Sequence, residues 1–278
     1  MFYPYANLSI ITNLKATSME IDKIYNEDNI ETLKRMPNDF IDLVVTSPPY
    51  DGLRKYNGYC FDFETMAKEL YRVVKDGGVV VWVVNDATIN GSESGTSFRQ
   101  ALYFKEIGFN LHDTMIWCKD GGGAVGSNLC YTQNFEYMFV LSKGKPKAYN
   151  LIYDKKNLSV GTDRSGIGRR NTDGTLKIEK RKVSSEFSRR NNWWVVVPKK
   201  EEGSDFHPAV FPEKLARDHI YTWSNEGDLV YDPFMGSGTT GKMAVELKRH
   251  FIGSEISSEY AEKASKRIWN VQAQLKLF

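Results

Sequence analysis

Three observations predict an α/β fold with a largely parallel sheet. Apolar β-branched runs alternate with amphipathic helical stretches along most of the chain. Near the end, Leu229–Tyr231 reads as a strand that runs into Gly236-x-Gly238-x-x-Gly241, with a helix beginning near Thr239 and a second strand, Phe251–Ser254, ending in Glu255. Only a short tail follows Glu255, so the sheet opened by this last unit has to be completed by strands from the front of the chain.

Residues 1–19 have no clear pattern and read as a partly ordered extension. Asp22–Asp28 is a short strand ending in acids, and Asp28 is placed to cap a helix over Asn29–Arg35. Ile41–Val45 is a buried-type strand running straight into Thr46-Ser47-Pro48-Pro49-Tyr50. Asp51–Gly58 is a polar, glycine-broken loop beside it. Phe63–Lys75 is a helix with Met66, Leu70, Val73 and Val74 on one face, which Asp76-Gly77-Gly78 is expected to end. Val79–Val84 is a fully buried strand, Ser97–Ile107 a helix stopped by Gly108, and Asn110–Cys118 a strand with Glu136–Leu141 as its neighbour. A helix is expected from His207 to about Ser224, and another over Tyr260–Leu275.

Two stretches carry chemistry. In the first, the glycines let backbone approach a ligand where side chains would collide, and the helix behind them offers unpaired N–H groups. Glu255, at the end of the next strand, suits the two hydroxyls of a ribose. The pattern fits a dinucleotide, but Asp232 before the glycines puts an acid where a pyrophosphate wants none. A cofactor with a ribose and no phosphate, such as S-adenosylmethionine, suits it better, its amine and sulfonium facing acids. In the second stretch, two prolines stiffen a strand end and remove two N–H donors. The Ser47 hydroxyl and Pro48 carbonyl can then act as acceptors toward one point, and Tyr50 supplies an aromatic plate. That combination suits a planar base with an amino group; the plain alternative is a proline turn ending a strand. Ligands in parallel sheets bind at the carboxyl ends of strands, so one cleft can hold both stretches and Asp28.

The chain has 278 residues and net charge +2. Residues 154–200 hold thirteen Lys and Arg against five Asp and Glu, which makes that segment +8 and the remainder −6. Such a long one-signed run reads as a phosphate-backbone surface rather than a solvated face. Arg164, Arg169, Arg170, Lys180, Arg181, Lys182, Arg189 and Arg190 are its expected contacts, joined by Arg54 and Lys55 of the earlier loop. The expected partner is a nucleic acid. The three cysteines, Cys60, Cys118 and Cys130, form no CxxC pair, so no zinc site or disulfide framework and no metal are expected. With no stretch approaching a membrane span and no signal-peptide core, a cytoplasmic protein is expected.

Thr46-Ser-Pro-Pro-Tyr50, Asp232-Pro-Phe-Met-Gly-Ser-Gly-Thr-Thr240 and His207-Pro-Ala-Val-Phe-Pro212, in this order, resemble the β group of bacterial DNA amino-methyltransferases over roughly residues 22–270. The resemblance implies a circularly permuted Rossmann-like methyltransferase fold: a catalytic half over 20–148, a basic target-recognition insert over 149–205 and a cofactor half over 206–278. It implies that Phe234, Gly236 and Gly238 line the methionine part of S-adenosylmethionine, with Asp232 at its amine, Glu255 at the ribose and Asp28 near the adenine. Thr46, Pro233, Ser237, Thr239 and Thr240 complete that set, and Ser47, Pro48, Pro49 and Tyr50 are the catalytic one. The segment from His207 would pack its helix beside the cofactor. Ser at the first motif position, with the His-Pro-Ala-x-Phe-Pro stretch, looks more like N4-cytosine enzymes; Asp or Asn there is commoner in N6-adenine enzymes. A cognate restriction endonuclease or a second copy of the chain are further partners the family allows. The competing classes are a nicotinamide oxidoreductase, a non-catalytic DNA-binding protein, and a methyltransferase acting on RNA or protein.

Overall fold

The computed structural model describes residues 19–49, 61–120, 129–163, 168–178, 183–199, 203–207 and 210–275. Tyr50, Arg54, Lys55, Arg164, Lys180, Arg181, Lys182 and the side chain of Arg169 therefore lie outside the described residues, as does the extension before residue 19.

The elements in chain order are β1 (Lys23–Tyr25), α1 (Asn29–Arg35), β2 (Ile41–Thr46), α2 (Phe63–Val73) and β3 (Val74–Val84). There follow β4 (Thr88–Ile89), β5 (Ser92–Glu93), α3 (Thr96–Glu106), β6 (Asn110–Cys118) and β7 (Phe135–Ser142). The basic segment holds β8 (Lys155–Lys156), β9 (Gly168–Arg170), β10 (Leu176–Ile178), β11 (Phe187–Ser188) and β12 (Trp193–Val195). The chain closes with α4 (Glu213–Trp223), β13 (Leu229–Asp232), α5 (Thr239–Glu246), β14 (His250–Ser254) and α6 (Ser258–Leu275).

Eight strands form one sheet in the order β1-β14-β13-β2-β3-β7-β6-β12, and β4-β5, β8-β11 and β9-β10 are two-stranded ribbons outside it. All pairings in the large sheet are parallel except those of β7 with β3 and β6. The last strand, β14, lies between β13 and the first strand, β1, so the front of the chain does complete the sheet begun at its end.

Alternation along each strand divides the core in two. Val79, Val81 and Val83 of β3 face one way, together with Met138 of β7 and the buried sides of α4, α5 and α6; Val80, Trp82 and Val84 face the other way, toward α1, α2 and α3. This is a three-layer doubly wound arrangement. The sheet order reverses between β13 and β2: β13 leads out to β14 and β1, while β2 leads to β3 on the other side. A reversal of this kind opens a crevice at the carboxyl ends of the two strands.

Two expected boundaries shift. The helix from Phe63 ends at Val73, not at the glycines: Val74 is already extended (φ −72°, ψ 132°) and pairs with Ile41. Gly77 N–H donates to the Lys143 carbonyl at 2.6 Å and Gly78 C=O accepts from Lys143 N–H at 3.1 Å. Sheet partners thus claim the glycines that the local pattern assigned to a helix stop. The helix expected from His207 starts at Glu213, where Pro212 is the N-cap. A proline restrains the residue before it to extended backbone, which keeps Phe211 out of the helix.

Candidate active site

The crevice at the reversal is the mouth of a cavity of about 840 Å³. Its lining brings together Asp28, Thr46, Ser47, Pro48 and Pro49 from the front half with Asp232, Pro233, Phe234, Gly236, Ser237, Thr239, Thr240 and Glu255 from the back half. Thr46 and Asp232 end β2 and β13, Asp28 caps α1, Thr239 and Thr240 open α5, and the others lie in the segments directly after β2, β13 and β14.

The two halves are joined by hydrogen bonds across the crevice. The Thr46 hydroxyl at the end of β2 donates to Asp232 Oδ1 at the end of β13 (2.7 Å), and Phe234 N–H donates to the same oxygen (3.0 Å). The Thr240 hydroxyl in the first turn of α5 donates to the Val45 carbonyl (3.2 Å). Asp232 is 5% exposed. Burial pushes its carboxyl up to about 6; hydrogen bonds from Thr46 and Phe234 oppose that rise and the charge of Glu255 adds to it. An acid poised near neutrality and fixed by a threonine is prepared to face a cation.

Glu255 follows β14 with both oxygens oriented by backbone: Gly236 N–H donates to Oε2 (2.8 Å) and Ser257 N–H to Oε1 (2.9 Å). Burial raises its carboxyl, and these amides oppose that rise. A carboxylate has about four lone-pair sites, so two amide contacts leave capacity for hydroxyl donors. Asp28 caps α1, accepting from Ile30 N–H at 2.8 Å, while it lines the cavity at the end of β1.

The glycines divide their work. Gly236 has φ +50°, and a Cβ there would lie 3.0 Å from His207 Nε2. His207 lines the cavity and packs edge-on against Tyr260, ring centroids 4.8 Å apart. Gly238, expected beside the ligand, is not part of the lining; its Cβ would meet Ala264 of α6 at 3.0 Å. Gly241 likewise packs on Ile268 and Phe251. Of the three, only the first lines the cavity, and the other two let α5 and α6 close on the sheet.

The sequence reading missed several participants. Arg267 of α6 is 7% exposed; its guanidinium donates to the Ser237 carbonyl (2.9 Å), to Thr239 Oγ1 (3.1 Å) and to Glu213 of α4 (2.6 Å). It clamps the glycine turn from behind. The signal was present: Ala261, Ala264, Arg267 and Ile268 share the buried face of α6, an arginine in an apolar stripe. Trp117, Lys119 and Glu136 line the cavity at the ends of β6 and β7, although the sequence placed Trp117 and Glu136 only in strands and Lys119 in none.

The basic segment divides too. Arg170 and Arg189 are exposed, as a phosphate surface requires. Arg190 departs from that expectation. Its guanidinium is paired with Asp154 and with Asp218 (2.6 Å), and it stands 5.0 Å from the centroid of the Trp194 ring. It ties the segment to α4. The far end of the segment, β12, is the edge strand of the main sheet. Among the described residues no helix is long and apolar enough to cross a membrane.

Residues 41–266 match the family model described as DNA methylase. The chain is 56% identical over 238 residues to the orphan methyltransferase M.BamHII of Bacillus amyloliquefaciens, covering 83% of this chain and 89% of that one. It is 28% identical over 287 residues to the type II methyltransferase M.SmaI of Serratia marcescens, covering 88% and 90%. Among solved structures, the cytosine-N4-specific PvuII DNA methyltransferase superposes with a TM-score of 0.62 at 21% identity, covering 91% of each chain. The M1.HpyAVI complex with SAM superposes with a TM-score of 0.58 at 23% identity, covering 88% of this chain and 98% of that one. The fold shared with both is the permuted, Rossmann-like sheet described above.

Proposed function

The chain belongs to the DNA methylase family, and on that premise we propose that it moves a methyl group to the exocyclic N4 of a cytosine flipped out of double-stranded DNA. S-adenosylmethionine is the cofactor, and when bound it supplies a methyl group on a sulfonium. The residues fit it: a cradle at Gly236 that a Cβ would fill, an oriented acid at Glu255, and a buried acid at Asp232 that an amine would pair. The observation that carries the reading is the Thr46–Asp232 hydrogen bond, which sets the Ser47-Pro48-Pro49 strand end directly against the acid and glycine turn of the cofactor half.

Each side chain then has a definite task. Asp232, held by Thr46 and Phe234, pairs with the amine, Glu255 accepts from ribose hydroxyls, and Asp28 lies toward the adenine. The exocyclic amine of a base is a poor nucleophile because its lone pair is delocalised into the ring. Ser47 and the Pro48 carbonyl, accepting its hydrogens, bias the nitrogen toward sp³ and free that lone pair. Positioning does the rest, and no covalent enzyme intermediate is required; Cys118 and Cys130, both free thiols, have no assigned part. Tyr50 is proposed as the stacking plate for the flipped base. Exposed Arg170 and Arg189, with the other bases of 154–200 and Arg54 and Lys55, are proposed to track the phosphate backbone. The 56% relative is named an orphan methyltransferase, which favours modification without a partner endonuclease. Cytosine is favoured over adenine by Ser47 at the motif's first position.

Calorimetric titration with S-adenosylmethionine and with NAD tests the cofactor; heat with NAD alone would move the chain to a nicotinamide enzyme. The same titration carries a pH prediction. A cationic ligand favours ionised Asp232, whose carboxyl sits at about 6 in the empty site, so affinity should rise as pH increases through 6 and level off above it. At pH 5 about a tenth of the carboxylate is ionised, giving roughly tenfold weaker binding than at pH 7.5. Binding at the lower pH should release a proton, visible as a dependence on buffer ionisation enthalpy. Asp232→Asn should bind weakly with no such slope; a wild-type affinity independent of pH would take Asp232 away from the ligand's cation.

A further inference from the structure

The roles above use the cavity between β14 and β2 and leave its far corner, at the ends of β7 and β6, without one. There Glu136 is 6% exposed and ion-paired with Lys119. Lys119 Nζ stands 5.0 Å from the centroid of the Trp117 ring, and that ring is fixed by its Nε1–H donating to the Val196 carbonyl (2.7 Å). Trp117, Lys119 and Glu136 line the same cavity as Ser47. Glu136 is buried while the Lys119 side chain keeps 26% of its surface exposed, and a carboxylate buried in this way is costly to build where apolar residues of similar volume would close a sheet end more cheaply. An ammonium has three N–H donors, so a contact to Glu136 does not exhaust it.

The spacing of the corner fits one object. β3 lies between β2 and β7, so the end of β2 and the start of β7 are two strand spacings, about 10 Å, apart. A six-membered ring with one hydrogen bond on each side spans about the same distance. With the amine of cytosine at Ser47 and Pro48, the same edge of the ring continues through N3 to the O2 carbonyl. An adenine placed by its amine continues through N1 to a C–H that accepts nothing. Resting on the cytosine reading above, we propose that Lys119 is a specificity-determining residue that donates to O2 of the flipped cytosine, with Glu136 positioning its ammonium and Trp117 forming the wall behind it. The far side of the pocket then adds a contact in which the two amino-bearing bases differ, beyond the amine that both present to Ser47 and Pro48. A site built to donate to a carbonyl disfavours the analogue lacking one, because the donor is left unpaired.

The test is single-turnover methyl transfer to amplified, unmodified chromosomal DNA, with nucleoside mass spectrometry of the product and calorimetric S-adenosylmethionine affinity measured alongside. Lys119→Met keeps the stem and removes the donor; Lys119→Arg keeps a donor. The expected result is a 10- to 100-fold slower formation of N4-methylcytosine in Lys119→Met, a larger N6-methyladenine share of its product, near wild-type rate in Lys119→Arg, and cofactor affinity unchanged in both. Wild-type formation of N4-methylcytosine together with an unimpaired Lys119→Met overturns the Lys119 contact alone, as does a parallel loss of cofactor affinity. N6-methyladenine from the wild type refutes the cytosine reading itself, and the O2 contact with it.

Discussion

Gly236→Val is expected to weaken S-adenosylmethionine binding on the order of a hundredfold and to lower the unfolding midpoint by a few degrees, while DNA binding changes little. Gly236 sits at φ +50°, a region that β-branched residues occupy only under strain. Its Cβ would press on the His207 ring at 3.0 Å, inside the cavity lining. The backbone shift needed to relieve both contacts draws away the Gly236 N–H that orients Glu255. Strain of this kind costs about 1–3 kcal/mol and is felt in folding; affinity falls because the relaxed turn has to be drawn back and the ribose acid re-oriented when the ligand binds, and about 2.7 kcal/mol for that corresponds to about a hundredfold. Calorimetric titration measures it, with electrophoretic DNA retention as the control. Undiminished cofactor affinity would remove the glycine turn from the site.

Ser47→Ala carries the second large effect, on rate and not on cofactor affinity. Ser47 follows β2 directly after Thr46, whose hydroxyl is committed to Asp232, so the two neighbours divide the work between cofactor and base. Removing the Ser47 hydroxyl deletes an acceptor for the exocyclic amine where charge develops on its nitrogen. A hydrogen bond to such a group is worth about 1.5–3 kcal/mol, or roughly 10- to 100-fold in rate. Single-turnover transfer with cofactor in excess isolates the chemical step. A variant that transfers at the wild-type rate would reduce the Ser-Pro-Pro segment to a strand-ending turn.

The fold was legible because its signals are local and repeated. Unbroken apolar runs such as Val79–Val84 set strands, Asp28 caps α1 as its position before Asn29 suggested, and the glycine turn leads into α5 at Thr239. What failed depends on partners distant in sequence. The Gly77-Gly78 pair has a helix-stop appearance until Lys143 arrives to hydrogen-bond it. Arg190 reads as one more base in a basic run until Asp154 and Asp218 neutralise it. The site divides similarly. The acids and glycines of the cofactor half are contiguous in sequence and their joint meaning is visible there. Lys119 and Glu136 are seventeen positions apart, and only the β6–β7 pairing, with Trp117 opposite Glu136, brings them to one cavity wall. Arg267 shows a middle case: an arginine on the buried face of α6 is visible in the helical period, but what it clamps is not.

The most direct test of the central claim is nucleoside mass spectrometry of amplified, unmodified chromosomal DNA incubated with the purified protein and S-adenosylmethionine carrying an isotopically labelled methyl group. The account predicts labelled N4-methylcytosine, absent when the cofactor is omitted and sharply reduced with Ser47→Ala. Labelled N6-methyladenine in its place would contradict the assignment of the base, and no labelled nucleoside from DNA that the protein binds would contradict catalysis at this site.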